Sequence, residues 1–409
     1  MAVEVRLKAQ ERDAGKGLLV VFAPDITDMT TIKRVHQFME HGFGVMVFGF
    51  RRSRYNRGYA PSWPHVELGH TADRRYWRRS AALLRALRLL WLNRATLKRA
   101  SVFYARNLDQ LILSLIVRRL YHQHAPVVYE VLDVQPTLTG GGLPAMLLRR
   151  IERWGLRRIR LLVVSSPGFI DNFYAPVQRF RRPWFLLENK LDAATLPALA
   201  MPPERSRRKG AHAGFKWVVG YFGRIRGRRT FDLMTRLAAR CPDVLFKFRG
   251  VLTTVEQPHF LAALRRHRNI VYEGDYVSPR DLPTLYGEVD FAWAIDLEHV
   301  EHNSRWLLPC RFYEAGLFGV PCLAADAFEV GRKVARLGAG WTFAPPYEEA
   351  LGRFFANLSA ADYAATRRRL AALPSSTFVA GEDVVSLCRL LRGEPQPPAR
   401  ATELVRIAG

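Results

Sequence analysis

Short apolar runs alternate with longer amphipathic stretches along most of the chain. In the first half the apolar runs lie at 18–24, 45–50, 101–105, 127–132, 161–166 and 184–189. Runs that are apolar throughout are typical of parallel strands buried on both faces. The stretches between them with helical periodicity lie at 30–41, 74–99, 108–122 and 143–158. This alternation predicts a parallel sheet with helices on both faces.

The alternation of apolar runs and amphipathic stretches stops at 193–215, a segment rich in Ala, Pro and charged residues, and then starts again. The new apolar runs lie at 217–223, 244–250, 269–274, 289–295, 320–325 and 340–344. We therefore predict an α/β protein with two Rossmann-like, doubly wound parallel-sheet domains, at 1–192 and 216–375, joined by a linker at 193–215. Residues 376–409 are expected to form a helix at 382–392 and a frayed, Pro-rich tail, which packs back toward the first domain. Ligands bind at the carboxyl ends of such strands, so we expect the two sheets to face a shared cleft.

The charge of the chain points to an anionic partner. Lys and Arg number 62 against 37 Asp and Glu, a net charge of +25. Residues 1–192 hold 32 of the basic and 15 of the acidic side chains. Such an excess fits phosphorylated substrates, an anionic membrane or nucleic acid. A high-GC genome would explain the preference for Arg over Lys, but not the shortage of acids.

The chain also lacks several common signals. It contains no apolar run of about eighteen residues and no apolar core near its N-terminus, so we expect a cytoplasmic protein without a spanning helix. Its four cysteines have no CxxC spacing and are expected to pack as small apolar groups. Neither a DxD motif nor a His cluster lies between apolar runs, so we expect no metal ion and no bound cofactor.

The segment at 303–325 carries the sharpest chemical signal. Pro309 favours the start of a helix over 310–318, and Gly319 ends that helix before the next strand. The N-terminus of a helix at the cleft suits a diphosphate. Glu314, one turn into the helix, can accept hydrogen bonds from a ribose diol. The alternative is that Glu314 is a solvated residue of a plain strand–helix–strand unit.

This segment resembles glycosyltransferase family 4 of the GT-B fold, particularly transferases of exopolysaccharide assembly in succinoglycan-type pathways. The matching residues are Glu314-Ala315-Gly316 followed by Gly319-Val320-Pro321. The resemblance implies that Glu314 binds the ribose of a nucleotide sugar. The family motif has a second Glu eight residues earlier, where this chain has Trp306 with Asn303 and Ser304 nearby.

A second match, GYFGRIRGRRTFDLM at 220–234, resembles the loop that opens the C-terminal domain of this family. The resemblance implies that Arg224 binds phosphate, with Arg228 or Arg229 in place of the usual Lys. The alternative is a basic loop that only adds to the general charge. Tyr276, in a later loop, is a candidate to stack on the base, although packing would also explain it. The predicted donor-binding residues are Gly223, Arg224, Arg228, Gly250, Tyr276, Asn303, Ser304, Arg311 and Glu314.

In the first half, two carboxylates follow the apolar run at 127–132. Glu130 and Asp133 come just before a Gly140-Gly141-Gly142 loop, and a carboxylate at the end of such a strand can take the proton from an acceptor hydroxyl. Both are candidate catalytic residues, and we favour Asp133 because it lies nearer the loop. The alternative is an ion pair with a neighbouring arginine such as Arg106.

The stretch at 74–99 contains nine Lys or Arg residues and no acid. Such a helix can lie in the headgroup region of an anionic membrane. The residues predicted to make this contact are Trp77, Arg78, Arg79, Arg85, Arg88 and Trp91. The alternative is an ordinary helix that buries its leucines and leaves a solvated basic face.

Together these features predict a hexosyltransferase that binds peripherally to the inner face of the plasma membrane. Its partners would be a nucleoside diphosphate sugar, with UDP or GDP, and a polyprenyl-diphosphate-linked saccharide acceptor. One alternative is a nucleic-acid-binding protein, which would leave both α/β halves unexplained. Another is an inactive GT-B subunit that partners an active transferase.

Overall fold

The computed structural model describes residues 17–52, 58–70, 85–121, 124–198, 214–252, 257–395 and 405–407. The chain divides into two compact units. The first unit comprises the residues up to Leu187 together with those from Glu382 onward, and the second unit is Glu188–Gly381. The C-terminal helix therefore belongs to the first unit.

An eight-stranded sheet forms the centre of the first unit. Its order is β16-β7-β6-β5-β4-β1-β2-β3, and every neighbouring pair is parallel except β16 with β7. The strands are β1 (Leu18–Ala23), β2 (Gly44–Arg51), β3 (His65–His70), β4 (Ala100–Arg106), β5 (Val127–Val131), β6 (Leu161–Val164), β7 (Pro183–Leu186) and β16 (Val405–Ile407).

Helices connect these strands. They are α1 (Met29–Glu40), α2 (Arg94–Lys98), α3 (Leu108–Leu120), α4 (Pro136–Thr139), α5 (Gly142–Leu156), α6 (Pro167–Phe169) with a π-helical turn at Ile170–Tyr174, and α15 (Glu382–Arg392). Asp28 begins α1 by accepting a hydrogen bond from the backbone N of Thr31. Residues 85–92 are also helical, and Asn93 separates them from α2. The predicted helix at 74–99 is therefore interrupted, and residues 71–84 lie outside the described part of the chain.

The second unit contains a six-stranded parallel sheet of order β11-β10-β9-β12-β13-β14. Its strands are β9 (Trp217–Phe222), β10 (Val244–Arg249), β11 (Ile270–Tyr272), β12 (Phe291–Trp293), β13 (Cys322–Ala325) and β14 (Gly340–Phe343). A separate parallel pair joins β8 (Leu191–Asp192) to β15 (Val379–Ala380). The six-stranded order is that of a Rossmann sheet: β10 and β11 are added on one side of β9, and β12, β13 and β14 on the other. The switch point of the strand order therefore lies between β9 and β12.

Helices also lie between the strands of the second unit. They are α7 (Arg228–Arg240), α8 (Gln257–Arg266), α9 (Leu282–Gly287), α10 (Asn303–Trp306), α11 (Cys310–Leu317), α12 (Glu329–Leu337), α13 (Tyr347–Asn357) and α14 (Ala360–Ala371). A 3₁₀ helix at Ala193–Ala198 follows β8, in the segment predicted as a linker. Most of the rest of that segment, 199–213, lies outside the described residues.

The strands that could be predicted from the sequence are those whose residues are buried on both faces of the sheet. All six residues of β1 and all six of β9 are buried, so each strand is an unbroken apolar run. The edge strand β3 buries only Leu68 and Gly69, and its polar sequence, HVELGH, was not predicted to be a strand. The prediction of a frayed tail was wrong at 405–407, where β16 pairs with β7 along the other edge of the sheet.

Candidate donor site and acceptor-side carboxylates

The loops of the predicted donor site follow β9, β10 and β11, three neighbouring strands that end at the same edge of the second sheet. The backbone N of Gly223 donates to the carbonyl of Arg249 at 3.1 Å, and that of Gly250 donates to the carbonyl of Gly274 at 2.8 Å. All three glycines have a positive φ, at 109°, 126° and 75°. A Cβ on Gly250 would lie 1.9 Å from the carbonyl oxygen of Gly223. Only glycine therefore lets these loops approach each other so closely.

Helix α7 follows β9, next to the switch point of the strand order. Gly227 precedes it with a φ of 87° and supplies no capping side chain. The first turn of a helix has backbone N–H groups without a partner inside the helix, and these favour an anion. The N-terminus of α7 thus has the properties of a phosphate-binding site.

The predicted phosphate-binding arginines lie on either side of this N-terminus. Arg224 is exposed, and its guanidinium pairs with no other side chain in the described part of the chain. Arg228, the first residue of α7, is 73% exposed and lies 3.8 Å from the carboxylate of Asp232. Both cations are thus accessible to a ligand.

Arg226, between them, was not predicted and has a different environment. Its Nη2 lies 3.2 Å from Asp296 Oδ2 and its Nε lies 2.9 Å from Glu298 Oε2. These ion pairs join the loop after β9 to the loop after β12. No signal in the sequence links residues about seventy positions apart, so only the sheet order reveals this pairing.

Helix α11 carries Arg311 and Glu314 in its first turns. The helix spans Cys310–Leu317, and Gly319 follows with a φ of 65°, as the sequence predicted. Arg311 donates from Nη1 to the carbonyl of Trp293 at 3.3 Å, and its guanidinium lies 4.4 Å from the ring centroid of Tyr221. The side chain of Arg311 is therefore held against the end of β12.

Glu314 is held by an unpredicted tyrosine. The hydroxyl of Tyr286, a buried residue of α9, donates to Glu314 Oε2 at 2.9 Å. The ring of Tyr286 is itself stacked on Phe318. Glu314 is half-buried, so it is not the freely solvated residue of the alternative interpretation. One carboxylate oxygen is oriented by Tyr286, an arrangement that suits recognition of a diol.

Tyr276 is half-buried beside these groups. Its hydroxyl lies 4.0 Å from where a Cβ on Gly223 would stand. Burial raises the pKa of the Tyr276 phenol, and the negative charge of Glu314 adds to that effect. Tyr276 is therefore a neutral aromatic side chain near both the glycine loops and Glu314.

Asn303 and Ser304, predicted to approach the donor sugar, are buried at the start of α10. The Ser304 Oγ accepts a hydrogen bond from the backbone N of His299 at 3.2 Å. The Ser304 hydroxyl thus stabilises the loop after β12.

Cys310 departs from the expectation for the cysteines. Cys241, Cys322 and Cys388 are buried, as predicted, but Cys310 is exposed at the first residue of α11. The side-chain amide of Asn189 donates to Cys310 Sγ at 2.9 Å. The predicted helix start at Pro309 already placed Cys310 in an N-terminal turn, and this was the signal that could have revealed its exposure.

Glu130, in the first unit, forms a buried ion-pair network. Its carboxylate lies 2.8 Å from Arg34 and 2.7 Å from Arg106, with all three side chains almost fully buried. Burial alone would raise the pKa of the Glu130 carboxyl, but the two guanidinium groups outweigh burial and lower the pKa. An ionised, enclosed carboxylate is a poor proton acceptor. This geometry favours the ion-pair interpretation of Glu130.

Asp133 is exposed in the loop that follows β5. The short helix α4 follows this loop and is tied to α5, because Arg149 Nη1 donates to the carbonyls of Leu138 at 2.8 Å and Gly140 at 2.9 Å. Because Asp133 is exposed and Glu130 is enclosed, Asp133 remains the candidate proton acceptor at the carboxyl end of the first sheet.

The predicted membrane residues are only partly described. Trp77, Arg78 and Arg79 lie outside the described residues. Arg85 and Arg88 are exposed, and Trp91 is 54% exposed, whereas Leu90 is buried. No helix in the described part of the chain is long and apolar enough to cross a bilayer. Nor do the described His, Cys, Asp and Glu residues form a group of three placed to hold a metal ion.

Comparison with known proteins gives one curated relative and several solved structures. The chain is 29% identical over 396 residues to the succinoglycan biosynthesis protein ExoL of Rhizobium meliloti (strain 1021), covering 96% of this chain and 97% of that protein. No protein-family profile matches this chain.

The structural matches are more distant in sequence. Sucrose-phosphate synthase from Thermosynechococcus elongatus superposes with a TM-score of 0.70 at 12% identity, over 92% of this chain and 98% of its own. HepE of Anabaena, in complex with UDP and glucose, gives a TM-score of 0.65 at 16% identity, over 91% and 98%. The GT-B fold and the resemblance to succinoglycan-type exopolysaccharide proteins, both predicted from the sequence, are confirmed.

Proposed function

We propose that this chain is a glycosyltransferase that moves a hexose from a nucleoside diphosphate sugar to a saccharide acceptor in exopolysaccharide synthesis. The proposal starts from the GT-B fold of the chain and from its similarity to a succinoglycan biosynthesis protein. The proposal rests on the groups that meet at the carboxyl edge of the second sheet, at the switch point of its strand order. Two accessible arginines flank an uncapped helix N-terminus there, and the same sheet positions Glu314 for a diol.

The donor is held by the second unit. Arg224, Arg228 and the N-terminus of α7 bind the diphosphate, and Glu314 accepts hydrogen bonds from the ribose hydroxyls. Tyr276 stacks on the base. The UDP and glucose bound to HepE support a UDP-linked hexose as the donor.

The chemical step replaces one carbon–oxygen bond with another. The bond between the anomeric carbon and the diphosphate oxygen breaks, and the diphosphate leaves with the electron pair. The acceptor hydroxyl forms the new glycosidic bond, and Asp133 takes its proton. The arginines and the α7 dipole stabilise the charge that develops on the diphosphate, so the reaction requires no divalent metal ion.

The acceptor is a polyprenyl-diphosphate-linked saccharide at the inner face of the plasma membrane. The excess of positive charge in residues 1–192, together with the exposed Arg85, Arg88 and Trp91, supports a peripheral position on an anionic leaflet.

Substitution of the donor residues tests the proposal. Glu314→Ala and Arg224→Ala are each expected to lower kcat/KM for a UDP-hexose by roughly 100-fold or more, because each removes a group that positions or neutralises the leaving nucleotide. The measurement is UDP release with a membrane extract as the source of acceptor. EDTA is expected to leave turnover unchanged.

Glu349→Ala and Arg265→Ala serve as matched controls, because both side chains are exposed on other helices of the second unit. They should retain wild-type activity. Wild-type kcat/KM in both donor variants would reject the assignment. A folded wild-type protein that binds UDP without any turnover would indicate the inactive-subunit alternative.

A further inference from the structure

Helix α5 presents large apolar side chains to solvent. Leu143 is 75% exposed, Leu147 59%, Met146 44% and Trp154 43%. We refer to these four residues as the α5 apolar face. The described part of the chain shows no other helix with so many exposed large apolar residues.

The exposed residues lie along one side of the helix. Leu143, Leu147, Arg150 and Trp154 are separated by four, three and four residues, the spacing of a single helical face. Arg150, Arg157 and Arg158 are exposed with them, and the Arg158 guanidinium lies 4.2 Å from the Trp154 ring centroid. The only acidic residue of α5, Glu152, is buried. The solvent side of α5 is therefore apolar and cationic.

The opposite side of α5 fixes this orientation. Glu152 Oε1 accepts hydrogen bonds from the hydroxyls of Tyr129 at 3.0 Å and Tyr174 at 3.2 Å, and Oε2 accepts one from the side chain of Gln178. Gly155 packs so closely on α3 that a Cβ there would lie 2.8 Å from a methyl group of Leu111. Rotating the helix to bury its leucines would break all of these contacts. The contacts within the first unit therefore keep the α5 apolar face exposed.

We propose that α5 inserts its apolar face into the headgroup and acyl boundary of an anionic phospholipid bilayer. The inference rests on the membrane-bound acceptor proposed above. Apolar residues bordered by arginines are the composition of an interfacial helix, and the absence of exposed acid matches an anionic surface. Burial against a second copy would bring the same arginines together, so like charges would oppose that pairing.

Insertion would also place the acceptor-side carboxylate at the membrane. Helix α5 starts at the carboxyl edge of the first sheet, and only the short helix α4 separates it from the loop that carries Asp133. Arg149 ties α4 to α5 by its hydrogen bonds to the carbonyls of Leu138 and Gly140. A bilayer in contact with Leu143 and Leu147 would therefore lie next to the edge at which Asp133 meets the acceptor.

Vesicle binding tests the proposal. Full-length protein is mixed with vesicles of phosphatidylcholine containing about one third phosphatidylglycerol, and the bound fraction is measured by sedimentation. Leu143→Ser combined with Leu147→Ser, and Trp154→Ser alone, are each expected to weaken binding by roughly tenfold or more. These side chains are exposed, so folding should be preserved, and circular dichroism verifies this. Leu261→Ser, an exposed leucine of α8 in the second unit, is the matched control and should bind like the wild type.

Two outcomes would overturn the proposal. One is vesicle binding by both α5 variants that equals the wild type. The other is a dimer of the wild-type protein, measured by sedimentation equilibrium, that the α5 variants dissociate without any change in vesicle binding.

The same variants separate this proposal from the proposed function. Their binding of UDP should be unchanged, because the donor residues lie in the second unit. Loss of vesicle binding with intact UDP binding supports the membrane face. If vesicle binding depends on α5 but the protein neither binds UDP nor transfers sugar, the proposed function is rejected and the membrane proposal stands.

Discussion

Side chains around the candidate donor site differ in how many contacts hold them. Arg311 is held between the carbonyl of Trp293 and the ring of Tyr221, so its positive charge is fixed at the end of β12. Arg224 is exposed and can move to meet a ligand. Cys310 precedes Arg311 and is the one exposed thiol, since the other three cysteines are buried. The chain thus carries its own chemical reporter beside the candidate donor site.

We expect UDP to protect Cys310 from N-ethylmaleimide. Cys310 neighbours Arg311 and lies one turn from Glu314, so a bound nucleotide should cover its thiol and slow alkylation by roughly tenfold. Mass spectrometry of the modified peptide gives the rate. Cys310→Ser should remove the rapid modification, and Glu314→Ala should remove the protection. Equal rates with and without saturating UDP would place the nucleotide elsewhere.

At the scale of elements, α5 joins a polar buried side to an apolar exposed one. The Glu152 carboxylate is enclosed with Tyr129 and Tyr174, and burial raises the pKa of Glu152 to about 7, although the hydrogen bonds it accepts oppose this. The unfolded chain would ionise this group near its ordinary value of 4.5. The folded protein therefore binds more protons than the unfolded chain between these pH values. The contribution of Glu152 to stability decreases as pH rises through that window and is constant above it.

Glu152→Gln is expected to raise the free energy of unfolding at pH 8, by on the order of 2–3 kcal/mol, and to have little effect at pH 4.5. The substitution keeps an acceptor for both tyrosines. If the Gln178 amide turns over, its Oε1, which has no partner among the described residues, can accept a hydrogen bond from the new amide. Urea unfolding at the two pH values gives the difference. Glu152→Ala is the control, and it should destabilise at both pH values because it leaves the tyrosine hydroxyls without an acceptor. A gain that does not depend on pH would show that the carboxyl is not protonated in the fold.

Across the whole molecule, the net positive charge is larger in the half that carries α5, because that half has fewer acidic residues. Residues 1–192 contain 32 basic and 15 acidic side chains, against 30 and 22 in the remainder. A general positive potential attracts any polyanion, but it does not select one. The apolar face of α5 adds a contact that a membrane satisfies and a nucleic acid does not. Charge and apolar exposure should therefore be separable by salt.

Raising NaCl from about 0.05 M to about 0.5 M is expected to weaken binding to the anionic vesicles by roughly tenfold or more, because the Debye length falls from about 14 Å to about 4 Å. The α5 variants should remain weaker than the wild type at both salt concentrations, since apolar burial is not screened. Sedimentation at the two salt concentrations measures both effects. Binding that is insensitive to salt would contradict a role for the net charge, and preferential binding to DNA at high salt would revive the nucleic-acid alternative.

Much of the fold could be read directly from the sequence. Strands β1 and β9 are buried on both faces, so each one is a run of apolar residues that can be recognised without knowing its partner strands. Helix α15 occupies 382–392, as its amphipathic pattern predicted. The glycine loops and the helix after Pro309, which form the candidate donor site, were also predicted locally, because each leaves its signal within a few residues.

Tertiary structure alone decided the rest, since those features depend on residues distant in the chain. The sequence left open whether Glu130 pairs with an arginine, and the fold supplies Arg34 as well as Arg106. The sequence predicted a helix at 143–158, but not which side of it meets the sheet. That side is fixed by Tyr129 of β5 and by Tyr174 and Gln178 of the segment after β6, which together enclose one carboxylate. Local pattern determined where the elements lie, and long-range hydrogen bonding determined which faces they present.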